Sequence, residues 1–125
     1  MQLLLAIALG GAAGALARHF VAGAVTRLAG TGFPYGTLTV NVAGSFLMGV
    51  LIVAFAHKLS VPQELRGLLA VGFLGSFTTF STYSMETVNL IQRGDWQAAA
   101  LYAGGSMIIG VLALFAGLWT GRLLP

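Results

Sequence analysis

Hydrophobic and polar positions along this chain fall into long blocks, not into the short alternations of a soluble fold. Gly36 to Ala56 is a charge-free run of 21 residues, Gly67 to Met85 one of 19, and Trp96 to Gly121 one of 26. The middle run stays mostly apolar through Ile91, apart from Glu86 and Asn89. Ahead of them Leu3 to Ala17 is apolar, Arg18 and His19 interrupt, and Phe20 to Thr26 resumes. A spanning helix needs roughly 20 apolar residues, and a segment in lipid has to satisfy its own backbone hydrogen bonds. The pattern predicts an all-α integral membrane protein. It forms a single domain, 1–125, with four transmembrane helices at about 3–28, 36–56, 66–92 and 96–122.

The predicted connectors are short: Ala29 to Tyr35 (AGTGFPY), His57 to Arg66 (HKLSVPQELR) and Gln92 to Asp95 (QRGD). Tyr35 and Trp96 stand where interfacial aromatics are expected. The first segment has a rival reading as a cleaved signal peptide, with an apolar stretch at Leu3 to Leu9 and an A-x-A pattern at Ala15-Leu16-Ala17. No Lys or Arg precedes that stretch, as a signal peptide would require. Gly10, Gly11 and Gly14 suit a helix-packing face, so a retained span is expected.

Composition supports the membrane reading and removes other classes. Nine of 125 residues are charged, 7%, and hydrophobic residues make up 58%. Soluble domains carry about a quarter charged residues. The absence of cysteine excludes a disulfide framework and a thiolate metal site. Six scattered basic residues without a run do not make a nucleic-acid surface. No phosphate loop, metal-ligand spacing or Ser/His/Asp set can be assembled, because His19 and His57 lie at span edges and Asp95 in a turn. The chain is therefore expected not to be an enzyme, and transport would be passive or coupled to an ion gradient.

Charge placement barely orients the protein. With four spans, Lys58, Arg66 and Arg122 fall on the side of the termini and Arg27 and Arg93 on the other. The positive-inside rule then leaves two readings: a weakly biased single orientation, or dual topology in which two opposed copies pair. The second would build an inverted-repeat architecture of the kind common in transport proteins.

Small residues recur four apart at Gly10 and Gly14, Ser45 and Gly49, Gly72 and Ser76, Ser106 and Gly110, and Gly117 and Gly121. They predict close helix packing and specify no substrate. Asn41 is an amide inside the second span, where it either glues helices together or donates into a polar pathway. The third span carries GFLGSFTTFSTYSMETV (Gly72 to Val88), with Ser76, Thr78, Thr79, Ser81, Thr82 and Ser84 interleaved with Phe77, Phe80 and Tyr83. One or two helical hydroxyls can bond back to their own helix, but six in nine residues loosen it. Gly72 and Gly75 weaken it further. The reading is a helix broken mid-membrane, against a polar packing seam as the alternative. Phe80 and Tyr83 share a face.

Arg18 in the first span and Glu86 in the third are intramembrane charges, which normally serve a function with a partner. They either pair with each other or Arg18 snorkels to the interface. Tyr102 and Ser106 share a face of the fourth span, with Tyr102 either an interfacial anchor or part of a pathway. An amide, hydroxyls, phenols and electropositive ring edges suit a small anion better than a cation.

The blocks GGAAGALAR (Gly10 to Arg18), GTLTVNVAGSFLMG (Gly36 to Gly49) and GFLGSFTTFSTYSMET (Gly72 to Thr87), with YAGGS (Tyr102 to Ser106) in the fourth span, resemble the CrcB/Fluc family of fluoride channels. The resemblance implies a fluoride-selective passive channel in the bacterial inner (plasma) membrane. Such a channel exports fluoride from the cytoplasm as a dual-topology antiparallel homodimer. It implies fluoride-pathway roles for Asn41, Phe80, Tyr83, Ser81, Thr82, Tyr102 and Ser106. It also implies a structural sodium ion (Na⁺) on the dimer axis, held by the backbone carbonyls of Gly75 and Thr78. The family usually has Phe where this chain has Tyr83, which puts an edge-only contact there in question. Ser76 stands where a second glycine is common, and His19 where an aromatic or apolar residue is usual. The alternative is a small multidrug-type proton-coupled antiporter. That class relies on a first-span carboxylate, and this chain has Arg18 there. A third reading is a scaffold subunit without transport of its own.

Overall fold

The computed structural model describes residues 1–58 and 60–125. Leu59 and the side chain of Lys58, one of the basic residues counted above, lie outside the described residues. The path is helical throughout, with no strand among the described residues. Helix α1 is Gln2–Ala29 and α2 is Tyr35–Val53, continued by a π-helical stretch, Ala54–Lys58. Helix α3 covers 63–77: an α turn Gln63–Arg66, a π-helical stretch Gly67–Leu74 and a last α turn Gly75–Phe77. Helix α4 is Phe80–Gln92 and α5 is Trp96–Leu123.

Three helices are long and apolar enough to cross a membrane: Gln2–Ala29, Tyr35–His57 and Trp96–Leu123. They make this a multi-pass membrane protein. The third predicted span is divided between α3 and α4, because Thr78 (φ −92, ψ 158) and Thr79 (φ −151, ψ 122) are extended.

Local chemistry sets the ends. Helix α1 stops at Gly30, whose φ of 93 suits glycine and whose amide closes on Thr26 O. Gly94, at φ 79, turns the chain before α5, and the Asp95 carboxylate accepts from Ala98 N to cap it. Arg93 Nη2 donates to Gly32 O at 3.0 Å, tying the 93–95 turn to the 30–34 connector.

Helix α1 packs along α3 and α2 along α5, both through glycine. A Cβ on Gly14 would run into the carbonyl of Phe73, and one on Gly117 into the carbonyl of Phe46. Helices in lipid gain no hydrophobic drive from meeting, so close backbone approach and dispersion hold them. The outside is apolar: Leu4, Leu9, Leu16 and Phe20 on α1, and Leu101, Ile108, Leu112, Phe115 and Trp119 on α5, are exposed. The largest fully buried side chains are Val40 and Tyr102. A soluble fold buries apolar residues and exposes charge, and this one presents its apolar residues to the bilayer.

Candidate functional site

The break between α3 and α4 organises the site. Asn41, on α2, holds it by a two-way bond: Nδ2 donates to Thr79 O at 3.0 Å, and Oδ1 accepts from Thr79 N at 2.7 Å. The side-chain amide stands in for a peptide group at the one place where the helix cannot bond to itself. Of the two readings of Asn41, the interhelical bond is present, and its partner is backbone. Thr79 then caps α4 by accepting from Thr82 N at 3.3 Å. Thr78 Oγ1 donates back to Leu74 O at 3.0 Å. These bonds have a consequence for the carbonyls at the break. The amides that would follow Gly75 O and Thr78 O in a continuous helix belong to Thr79 and Thr82. One is spent on Asn41 and the other on Thr79 Oγ1. Gly75 is exposed and Thr78 half-buried.

Two cavities meet at Thr79, which lines both. One, of about 350 Å³, is a groove between α2, the break and α5. It gathers Asn41, Thr78, Phe80, Tyr83 and Ser106. The Phe80 ring is 73% exposed and lies 5.6 Å from the Tyr83 ring. The Ser106 Oγ is buried and has no hydrogen-bond partner among the described residues. A buried hydroxyl in that state is an available donor.

The second cavity, of about 580 Å³, lies between α1, α2, α4 and the 30–34 connector, and Arg18, His19, Thr37, Thr82, Glu86 and Arg93 line it. Arg18 and Glu86 share this cavity without pairing, since no ion pair joins them among the described residues. Glu86 instead accepts from Thr37 Oγ1 at 2.7 Å and from the Tyr102 hydroxyl at 3.3 Å. Two neutral donors hold the carboxylate between α2 and α5 where a salt bridge was conceivable. That leaves the Arg18 guanidinium to the cavity.

The remaining candidates are placed unevenly. Tyr102 is buried beneath the cavities, 1% exposed, with its hydroxyl on Glu86. An interfacial anchor would leave that hydroxyl to the headgroup region. Ser81 is exposed and lines neither cavity, touching the cluster only through Thr79 Oγ1 at 3.4 Å. The Tyr83 hydroxyl donates to Ala103 O at 2.7 Å, a carbonyl of a residue that does not line the groove. The sequence reading missed Thr37 as a partner of Glu86 and Thr79 as the pivot of the break. Thr37 stands four before Asn41 and so shares its helical face, and that spacing was the available signal.

Comparison with known proteins places the chain in a family. Residues 5–118 match the family described as CrcB-like protein, Camphor Resistance (CrcB). A protein of Magnetococcus marinus is 51% identical over 94% of this chain and 96% of its own. One of Chelativorans sp. is 52% identical over 98% of each, and one of Caulobacter vibrioides 46% identical over 98% and 97%. All three bear the name "Fluoride-specific ion channel FluC". With a match over nearly its whole length and half its residues shared with full-length relatives, the chain belongs to the CrcB family.

Proposed function

We propose that this protein is a fluoride-selective passive channel that carries fluoride out of the cytoplasm and so lowers its toxicity. The observation that carries the reading is the 51–52% identity, over nearly the full chain, to proteins named as fluoride-specific ion channels. The protein is not an enzyme, and the proton-coupled antiporter reading has no support from its relatives.

The residues on the page supply the means. Fluoride is small and strongly hydrated, so a pathway has to replace its water with donors and electropositive edges. The groove offers the orphan Ser106 hydroxyl and the rings of Phe80 and Tyr83, whose edges carry positive partial charge. The second cavity offers Thr82 and Arg18, with the charge of Glu86 already bound by two hydroxyls. Neutral HF crosses lipid and ionises inside. A passive anion pathway then lets the membrane potential expel the trapped ion.

The finer architecture belongs to the same proposal. All four segments cross, with α3 and α4 together forming the third crossing, in the plasma (bacterial inner) membrane. Two copies insert in opposite senses and pair as an antiparallel homodimer. Three observations support it: the near-even basic count, an open groove with Phe80 exposed at its edge, and an exposed Gly75. The carbonyls of Gly75 and Thr78 fit a sodium ion, since both have lost their helical amide partners, one at a helix C-terminal end and one in unwound backbone, and such oxygens suit a hard cation. One copy supplies two such oxygens and an opposed copy two more. The ion would supply the positive charge that lets these oxygens face each other.

Purified protein in liposomes is expected to release fluoride and retain chloride. Release of both ions, or of neither, overturns the reading. The chain has no cysteine, so a single Gln92→Cys variant, at an exposed position beside the 93–95 turn, labelled in whole cells tests topology. Equal labelling from the two faces is expected of dual insertion, and one-sided labelling rejects it.

A further inference from the structure

Tyr83 is where the chain departs from the phenylalanine usual in the resemblance, and its hydroxyl has a defined partner. The ring lines the groove beside Asn41, Phe80 and Ser106. It is packed between two other rings, 5.6 Å from Phe80 and 5.3 Å from Tyr102. The hydroxyl donates at 2.7 Å to Ala103 O on α5, and Ala103 does not line the groove. A phenol has one proton, so a proton given to Ala103 is not available to an ion.

We propose that Tyr83 is a positioning residue whose hydroxyl clamps α4 to α5 and holds the Phe80–Tyr83 ring pair over the groove, with the ring edge and not the hydroxyl facing the anion. The inference rests on the fluoride-channel reading. The clamp has leverage because of where it sits. Helix α4 begins immediately after the break, so its first turns are not continuous with α3. Asn41 ties Thr79 to α2, and Tyr83, one turn further on, ties the same helix to α5. Between the two bonds stands Phe80, whose 73% exposed ring gets little packing support from its own chain. The Tyr102 hydroxyl is likewise committed, to Glu86. Both phenols in this aromatic row therefore spend their protons on the protein.

The test is Tyr83→Phe, which keeps the ring and removes the clamp, measured in liposomes against wild type over a range of fluoride concentrations. Maximal fluoride flux is expected to fall about fivefold, the value of one neutral hydrogen bond. The half-saturating fluoride concentration is expected to stay the same and chloride to remain excluded. The phenol absorption of Tyr83, taken as the wild-type minus Tyr83→Phe difference spectrum, is expected not to move when fluoride is added. A raised half-saturating concentration, or a fluoride-dependent shift of that band, would show the hydroxyl to be an ion ligand and overturn the clamp. Unchanged maximal flux in Tyr83→Phe overturns it as well. A wild type that conducts no fluoride rejects the channel reading and the clamp's role with it, whereas a conducting wild type with either contrary result rejects the clamp alone.

Discussion

The glycine seams and the broken segment solve the same problem by opposite means. Along α1–α3 and α2–α5, backbone meets backbone through Gly14 and Gly117, and no side chain has to mediate. At Thr78–Thr79 the backbone has left its helix, and side chains replace the lost bonds: Asn41 from α2 for Thr79, and Thr79 itself for Thr82. The seams are close backbone contacts. The break is polar, lies beside both cavities and uses neighbouring chemistry for its stability. Regularity gives a stable bundle with nothing to offer an ion. Irregularity exposes carbonyls, hydroxyls and ring edges, and it is tolerated in a membrane only where protein or a lined cavity covers it.

Variants can separate these two regions, and the largest effect is expected at the break. Asn41→Ala leaves Thr79 N and O without partners. Thr79 is partly buried and lines both cavities, so each group costs up to about 1–3 kcal/mol; thermal melting in detergent is expected to drop and fluoride flux to vanish. A variant as stable as wild type would mean the break does not depend on Asn41. Next comes the α2–α5 seam: Gly117→Ala drives a methyl into Phe46 O, and overpacking of this kind costs about 1–3 kcal/mol. Melting is expected to fall, with flux lost only in proportion to folded protein, so selective loss of flux would blur the distinction.

Phe80→Ile belongs to the break but not to its scaffold. Its ring is 73% exposed, so melting is expected to be unchanged. Loss of the electropositive ring edge is expected to lower flux about tenfold, which corresponds to about 1.4 kcal/mol on the barrier. Equal flux in this variant would remove Phe80 from the pathway. The smallest effect is expected for Glu86→Gln, which keeps an acceptor for Thr37 and Tyr102 and loses only the charge-assisted part of those bonds. Melting should fall by about 1 kcal/mol, and a collapse of the fold would mean that the carboxylate supports more than these two donors.

Much of the membrane architecture was legible because lipid imposes a simple rule. Two of the three long charge-free runs, and the first segment despite Arg18, are the long apolar helices of the structure. The small-residue spacing of Gly10, Gly14, Gly117 and Gly121 marked faces that do meet other helices closely. The hydroxyl cluster from Ser76 to Ser84 marked the place where α3 gives way to α4. Partners were not legible. Arg18 and Glu86 invited pairing by charge alone, yet the bonds to Glu86 come from Thr37 and Tyr102, which stand 49 and 16 positions away. Tyr83 was recognisable as an aromatic on the Phe80 face, but nothing in the sequence said that its hydroxyl would turn to Ala103.

The sequence by itself determined that the chain is helical and multi-pass, and through its motifs it determined the family. Those conclusions depend on local composition and spacing, which a linear chain carries in full. Only the tertiary structure decided that Asn41 serves the backbone of Thr79 and that two cavities meet at the break. It also decided that Glu86 is held by hydroxyls and that the Tyr83 proton is already spent. A hydrogen bond requires two groups within about 3 Å, and which groups from distant positions arrive there is set by helix packing, not by the order of residues.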